Sequence, residues 1–168
     1  GRGCAAGLRG VHQPHLRHGV EGGGTPPTLK GMSYAGDVTP EQAHAAVTGP
    51  EGAMLVDVRT RAEWSFVGVP VIDGAADAVA FVEWSTFPAG TVNERFVDEV
   101  VAAGLAPGRP VYLLCRSGVR SKAAADALTA AGLGPAYNIL DGFEGGHDAD
   151  GHRTVSGWKN AGLPWRQG

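Results

Sequence analysis

The sequence predicts an α/β protein, a mostly parallel sheet with helices on both faces, and three observations carry that expectation. Residues 111–114, and 54–56 at the start of the stretch 54–59, are short apolar runs, as in strands buried on both faces. Residues 93–101 and 121–128 have helical spacing or strong helix propensity. The two kinds of segment alternate along residues 34–165, which is the pattern of repeated βα units. A chain of 168 residues can close one full hydrophobic core.

Composition narrows the function classes. The chain is 43% hydrophobic and 18% charged, with a net charge of −3, so no basic excess points to nucleic acid. No apolar run approaches the ~18 residues of a membrane span. The cysteines, Cys4 and Cys115, make no disulfide framework, and a reducing, cytoplasmic setting is expected.

Residues 1–31 are rich in glycine and proline and have no periodic apolar pattern. They cannot bury enough to offset their ordering entropy, so they are expected to form a disordered arm or one foreign to the natural protein. Met32 opens the patterned region, and residues 32–168 are expected to form one domain. His12, His15 and His18 are interrupted by Pro14 and read as solvated side chains rather than a metal site.

The first helix starts at Thr39 as N-cap, with Pro40 at N1 and Gln42 completing a capping box. It turns Ala43, Ala46 and Val47 inward and stops before Gly49. Residues 54–59 follow as a buried strand, and Thr60 caps a short helix that ends before Gly68. Residues 79–84 read as the next strand, in which Trp84 and the following Phe87 suit the core better than a pocket. Residues 93–101 form an amphipathic helix expected to bury Phe96, Val97, Val100 and Val101, with Gly104 as its stop. Residues 111–114 are a strand, the alanine-rich helix runs on to about Ala131, and residues 136–140 are the last strand.

The chemistry falls between strand 111–114 and the helix after it, where open α/β sheets bind ligands. Cys115 opens a tight loop there, followed by Arg116, Ser117, Gly118, Val119, Arg120 and Ser121. If the loop curls around the sulfur, the amides of residues 116–120 and the first helical turn stabilise an anion at one point. Arg116 and Arg120 add full charges, and Gly118 supplies the backbone freedom of a tight turn. These features favour thiolate over a model thiol of pKa roughly 8.5. A cysteine at a strand end is often a small buried hydrophobe. Two arginines, a glycine and two serines in the next six positions do not suit an apolar core.

The run Cys115-Arg116-Ser117-Gly118-Val119-Arg120-Ser121 resembles the active-site loop of rhodanese-like sulfurtransferases. The resemblance extends along residues 34–165 and implies a rhodanese-like three-layer fold with a five-stranded sheet. It further implies that Cys115 takes a sulfane sulfur from thiosulfate or a similar small sulfur anion as a persulfide. The sulfur then passes to cyanide, a small thiol or a protein thiol. Arg116 to Arg120 would bind the substrate, with no metal or organic cofactor, and Ser121 would support them. Four residues separate Cys115 from Arg120, one fewer than in phosphatases of related fold, which argues against a phosphatase or arsenate reductase. A non-catalytic partner-binding module is the other alternative, since fold does not prove activity.

Asp57-Val58-Arg59 resembles the family signature at the end of the second strand, where Asp57 and Arg59 would support the loop as a structural ion pair. Residues 68–75 depart from the common family segment, lacking its histidine. Asp141-Gly142-Phe143-Glu144-Gly145 resembles the family's ending, but its closing tryptophan helix is delayed by an insertion at 146–157. That insertion is expected to border the active-site mouth. Its Asp148 and Asp150 lack the remaining ligands of a calcium loop and read as a polar turn.

Overall fold

Residues 33–168 are described by a computed structural model. The expected arm, with Cys4, its three histidines and Met32, lies outside the described residues. In chain order come β1 (Gly36–Val38), α1 (Pro40–Thr48), β2 (Met54–Asp57), α2 (Arg61–Phe66), β3 (Val69–Pro70), a 3₁₀ turn (Ala76–Ala78) and β4 (Val79–Phe81). Then follow α3 (Phe96–Ala102), β5 (Pro107–Leu114), α4 (Val119–Ala130), β6 (Gly134–Ile139) and β7 (Trp165–Arg166).

Five strands form a parallel sheet in the order β1-β6-β5-β2-β4, as the βα alternation predicted. β5 is central, so its residues 111–114 are buried on both sides. Because side chains alternate across a strand, Met54, Val56, Val111 and Leu113 meet α3 and α4 on one face through Phe96, Val100, Ala124, Ala125 and Leu128. Leu55, Tyr112 and Leu114 face the other way, onto Ala43 and Val47 of α1 and the buried Phe143 and Trp158. The alanines of α4 let it lie close on the sheet.

The capping predictions hold in detail. Thr39 Oγ1 accepts from the Gln42 amide at 3.2 Å, and the Gln42 side chain accepts from the Thr39 amide at 2.9 Å. Several boundaries differ from expectation. β2 ends at Asp57 and β4 at Phe81, although the Val58 amide still donates to Leu114 O and the Trp84 amide to Val58 O. β5 begins at Pro107, four residues early, because a register irregularity between 107 and 111 absorbs the glycine and prolines there. α3 starts only at Phe96, where Asn93 bends the chain by accepting from the Arg95 amide, and Val101 is 46% exposed rather than buried. β6 begins at Gly134, two residues before the predicted strand, and ends at Ile139.

Residues 68–75, which depart from the family pattern, are drawn into a second small sheet where β3 pairs antiparallel with β7. Gly68 has φ +116 there, and a Cβ would stand 2.8 Å from Arg166 O. No helix among the described residues is long and apolar enough to cross a membrane.

Candidate functional site

β5 ends at Leu114, and the next residue, Cys115, stands at the carboxyl edge of the central strand, before α4. Two donors reach its sulfur among the described residues: the Gly118 amide at 3.0 Å and the Ser121 hydroxyl at 3.1 Å. Gly118 has φ +101 and caps α4, a conformation that returns its N–H towards the sulfur and strains any residue with a Cβ. Cys115 is 1% exposed, yet it is held by polar groups, and Ser121 is wholly buried beside it. Of the five amides expected to face the sulfur, that of Gly118 bonds it. Ser117 and Val119 are exposed on the outer side of the loop, Val119 by 75%.

The loop is braced from the end of β6. The Phe143 amide donates to Cys115 O at 2.7 Å, and the Glu144 amide donates to Arg116 O at 3.1 Å. These bonds need the close approach of Gly142, at φ +58, where a Cβ would fall 2.2 Å from Cys115 O. Backbone rather than side chain therefore sets the height of the cysteine.

Arg120 differs from expectation. The sequence presented it as a free charge aimed at the sulfur, whereas the structure commits it to Glu63 of α2 through bonds of 2.7 and 2.8 Å. The reason is tertiary: α2 follows β2, β5's neighbour, and brings Glu63 to the same sheet edge. Glu63 also accepts from the Thr60 amide at 2.9 Å, completing a Thr60–Glu63 capping box. Burial acts to raise the Glu63 carboxyl, but the Arg120 hydrogen bonds, the Thr60 amide and the Arg120 charge outweigh it and bring the pKa from 4.5 to about 2. Arg120 is correspondingly held above its ordinary value, chiefly by Glu63 and with a contribution from Cys115.

Since the folded Glu63 is the stronger acid, its stabilisation is complete above about 4.5 and lost as pH falls towards about 2. The half-buried, bidentate geometry makes this worth about 1–3 kcal/mol. Urea midpoints of the wild type should fall across that window, while Glu63→Gln should give a flatter acid limb; parallel curves would show that the pair adds nothing.

Asp57 and Arg59 form the expected ion pair beneath the loop. Both are fully buried, with Nη2 to Oδ2 at 2.6 Å and Nε to Oδ1 at 2.9 Å. Arg59 also donates to Gly68 O at 2.8 Å and lays its guanidinium 4.0 Å from the Phe143 ring centroid. Phe143 is the residue whose amide holds Cys115 O, so the pair supports the loop through one intermediate.

A cleft of about 520 Å³ opens beside the loop, with Arg116, Arg120, Glu63, Glu144, Phe87 and Pro88 among its walls. Phe87, expected in the core, is 71% exposed and lines this cleft. Trp84 does pack inward, edge-on to Phe96 at 5.1 Å. No residue of the insertion at 146–157 is among the walls of that cleft; its Val155, Ser156 and Gly157 line a second cleft against Thr39 and Pro40 of the first helix start. Asp148 is occupied by the amides of Asp150 and His152 at 3.0 and 2.8 Å and by the Thr154 hydroxyl, the arrangement of a polar turn.

Two residues escaped the sequence reading. Asn138 is fully buried and accepts from Ser121 Oγ at 2.6 Å, while its Nδ2 donates to Asp37 at 2.8 Å. A lone amide inside the apolar run 136–140 was the available signal for Asn138. Glu63, three residues after Thr60, carried the signal of a capping box.

A family model described as a rhodanese-like domain matches residues 39–149. An uncharacterized protein of Rickettsia conorii is 36% identical over 126 residues, covering 74% of this chain and 92% of that relative. One of Rickettsia prowazekii is 36% identical over 115 residues, covering 68% of this chain and 83% of the relative. The crystal structure of Rv0390 from M. tuberculosis is similar at 53% identity and TM-score 0.73, covering 81% of this chain and 100% of that one. The polysulfide-sulfur transferase homodimer from Wolinella succinogenes has a similar fold at 20% identity and TM-score 0.54, covering 79% of this chain and 78% of that one.

Proposed function

Because the chain belongs to the rhodanese-like domain family, we propose that it is a sulfurtransferase working through a persulfide on Cys115. The observation that carries this reading is the pair of donors on Sγ, the Gly118 amide at 3.0 Å and the Ser121 hydroxyl at 3.1 Å. A purely apolar cysteine pocket has no use for them. The amide stabilises negative charge on the attacking thiolate and again on the outgoing thiolate after transfer, and the hydroxyl does so when its proton turns from Asn138 to the sulfur.

In the first half-reaction the Cys115 thiolate attacks the outer sulfur of thiosulfate or a similar donor. A new S–S bond forms, the donor's S–S bond breaks, and sulfite leaves with the electron pair. In the second, cyanide or a thiolate attacks the outer persulfide sulfur, and Cys115 departs as thiolate. The electrons balance within each step, with no external oxidant or cofactor. With 1% of Cys115 exposed, access of the donor to Sγ requires a small displacement of the loop. Arg116, exposed on the cleft wall, supplies the charge that draws the anion in, since Arg120 is neutralised by Glu63. Arg120 therefore acts by holding α2 against the loop and shaping the cleft.

Incubation with thiosulfate should add one sulfur to the Cys115 peptide, read by mass spectrometry, and cyanide should then release it as thiocyanate. A peptide unchanged in mass, with no thiocyanate formed, would leave the partner-binding module as the reading.

A further inference from the structure

A continuous chain of polar side chains runs from the sheet's edge to the reactive sulfur. Asp37 on edge strand β1 accepts from Asn138 Nδ2 on β6 at 2.8 Å and from the Tyr34 hydroxyl at 3.0 Å. Asn138 Oδ1 accepts from Ser121 Oγ on α4 at 2.6 Å, and the same Oγ lies 3.1 Å from Cys115 Sγ. Asn138 and Ser121 are both 0% exposed, so water does not substitute for the bond between them.

The chemistry of each group allows one arrangement. A carboxylate only accepts, so ionised Asp37 requires the Nδ2 face of Asn138 and turns Oδ1 towards Ser121. Asp37 is held below the ordinary carboxyl range, first by the Asn138 amide, against burial, and then by Tyr34 and Lys122. Ser121 has one hydroxyl proton and two acceptors within reach, Asn138 Oδ1 and Cys115 Sγ. When the proton points to Asn138, the lone pairs of Oγ face the sulfur and suit a thiol. When it points to the sulfur, it suits a thiolate and leaves a buried amide oxygen without a donor, which costs free energy.

We propose that Asp37, acting through Asn138, is a positioning residue that sets the direction of the Ser121 hydroxyl proton and thereby restrains ionisation of Cys115. The sequence places three unlike residues, far apart in the chain, in one line across β1, β6 and α4 to do this. Other charges face the chain as well. Lys122 Nζ stands 4.0 Å from Asp37, Asp126 accepts from the Tyr34 amide at 3.1 Å, and Arg120 is close enough for the charges of Glu63, Cys115 and Asp57 to act on it. The inference rests on Cys115 as the reactive group of the proposed transferase, but it concerns ionisation alone and is read without any sulfur transfer.

The test is the pH dependence of Cys115 alkylation by iodoacetamide in the full chain. In Asp37→Asn the Asn138 amide is free to turn, its Nδ2 donates to Ser121, and the hydroxyl proton passes to the sulfur. The midpoint of the alkylation profile should fall by about half a pH unit to one unit, the worth of one neutral hydrogen bond. Asn138→Leu, which removes the competing acceptor at similar volume, should move it the same way. In a Ser121→Ala background Asp37→Asn should leave the midpoint where Ser121→Ala alone puts it. An unmoved midpoint in both single variants overturns the proposal. So does an equal shift with and without Ser121, which would assign the effect to the charge of Asp37 acting through space. Thermal melts of each variant verify that folded protein is being compared.

Discussion

Replacing Cys115 by serine is expected to abolish sulfur transfer, by at least about a thousandfold, while the protein keeps its fold. The oxygen fits the space of the sulfur and keeps the Gly118 and Ser121 donors. It fails chemically, because an alcohol is scarcely ionised near neutral pH and an O–S bond does not store a transferable sulfane sulfur. Thiocyanate production and the mass of the 115-containing peptide are the measurements, with a melting curve alongside. Transfer persisting in the variant would move the nucleophile elsewhere and remove the mechanism.

The largest structural effect is expected from Asp57→Ala, at a cost of about 3–5 kcal/mol. Asp57 and Arg59 are both fully buried, and Arg59 Nη1 already has no hydrogen-bond partner among the described residues. Removing the carboxylate leaves a guanidinium in the interior with Gly68 O and the Phe143 ring for company. Against a typical total of about 5–15 kcal/mol this is a large fraction, and the melting temperature should drop on the order of 10 °C. Replacing both residues by Leu and Met should recover most of the loss, because the unpaired charge rather than the missing bond is what costs. Because Phe143 joins Arg59 to Cys115 O, the single variant should also loosen the loop, seen as faster alkylation of Cys115 under native conditions. A loss under about 1 kcal/mol would mean that the pair behaves like a solvated surface contact.

What the sequence made legible lay close together in the chain. Cys115, Gly118 and Ser121 fall within seven residues, so a strand followed by a tight turn and a helix start is enough to bring them together. Thr39 and Gln42 were legible for the same reason, a helix turn being a local object. The apolar run 111–114 announced a strand buried on both faces, but the earlier part of β5 did not, since Pro107, Gly108 and Pro110 oppose strand propensity. Only pairing with β6 at Gly134 extends it that far. β1 is three residues long and carries no pattern of its own; β6 makes it a strand. Val101 had the right helical spacing for burial, yet in the fold it is 46% exposed while its neighbour Val100 is buried.

By itself, then, the chain determined the βα alternation, the cysteine loop and its proximal donors, because propensity, capping and turn geometry act over a few residues. Which charges stand free was decided by the assembled sheet. Glu63 lies 57 positions from Arg120, and Asp37 lies 101 from Asn138. Strand order alone makes them neighbours. A side chain's ionisation depends on whatever folding places within a few ångströms, and no reading along the backbone contains that distance.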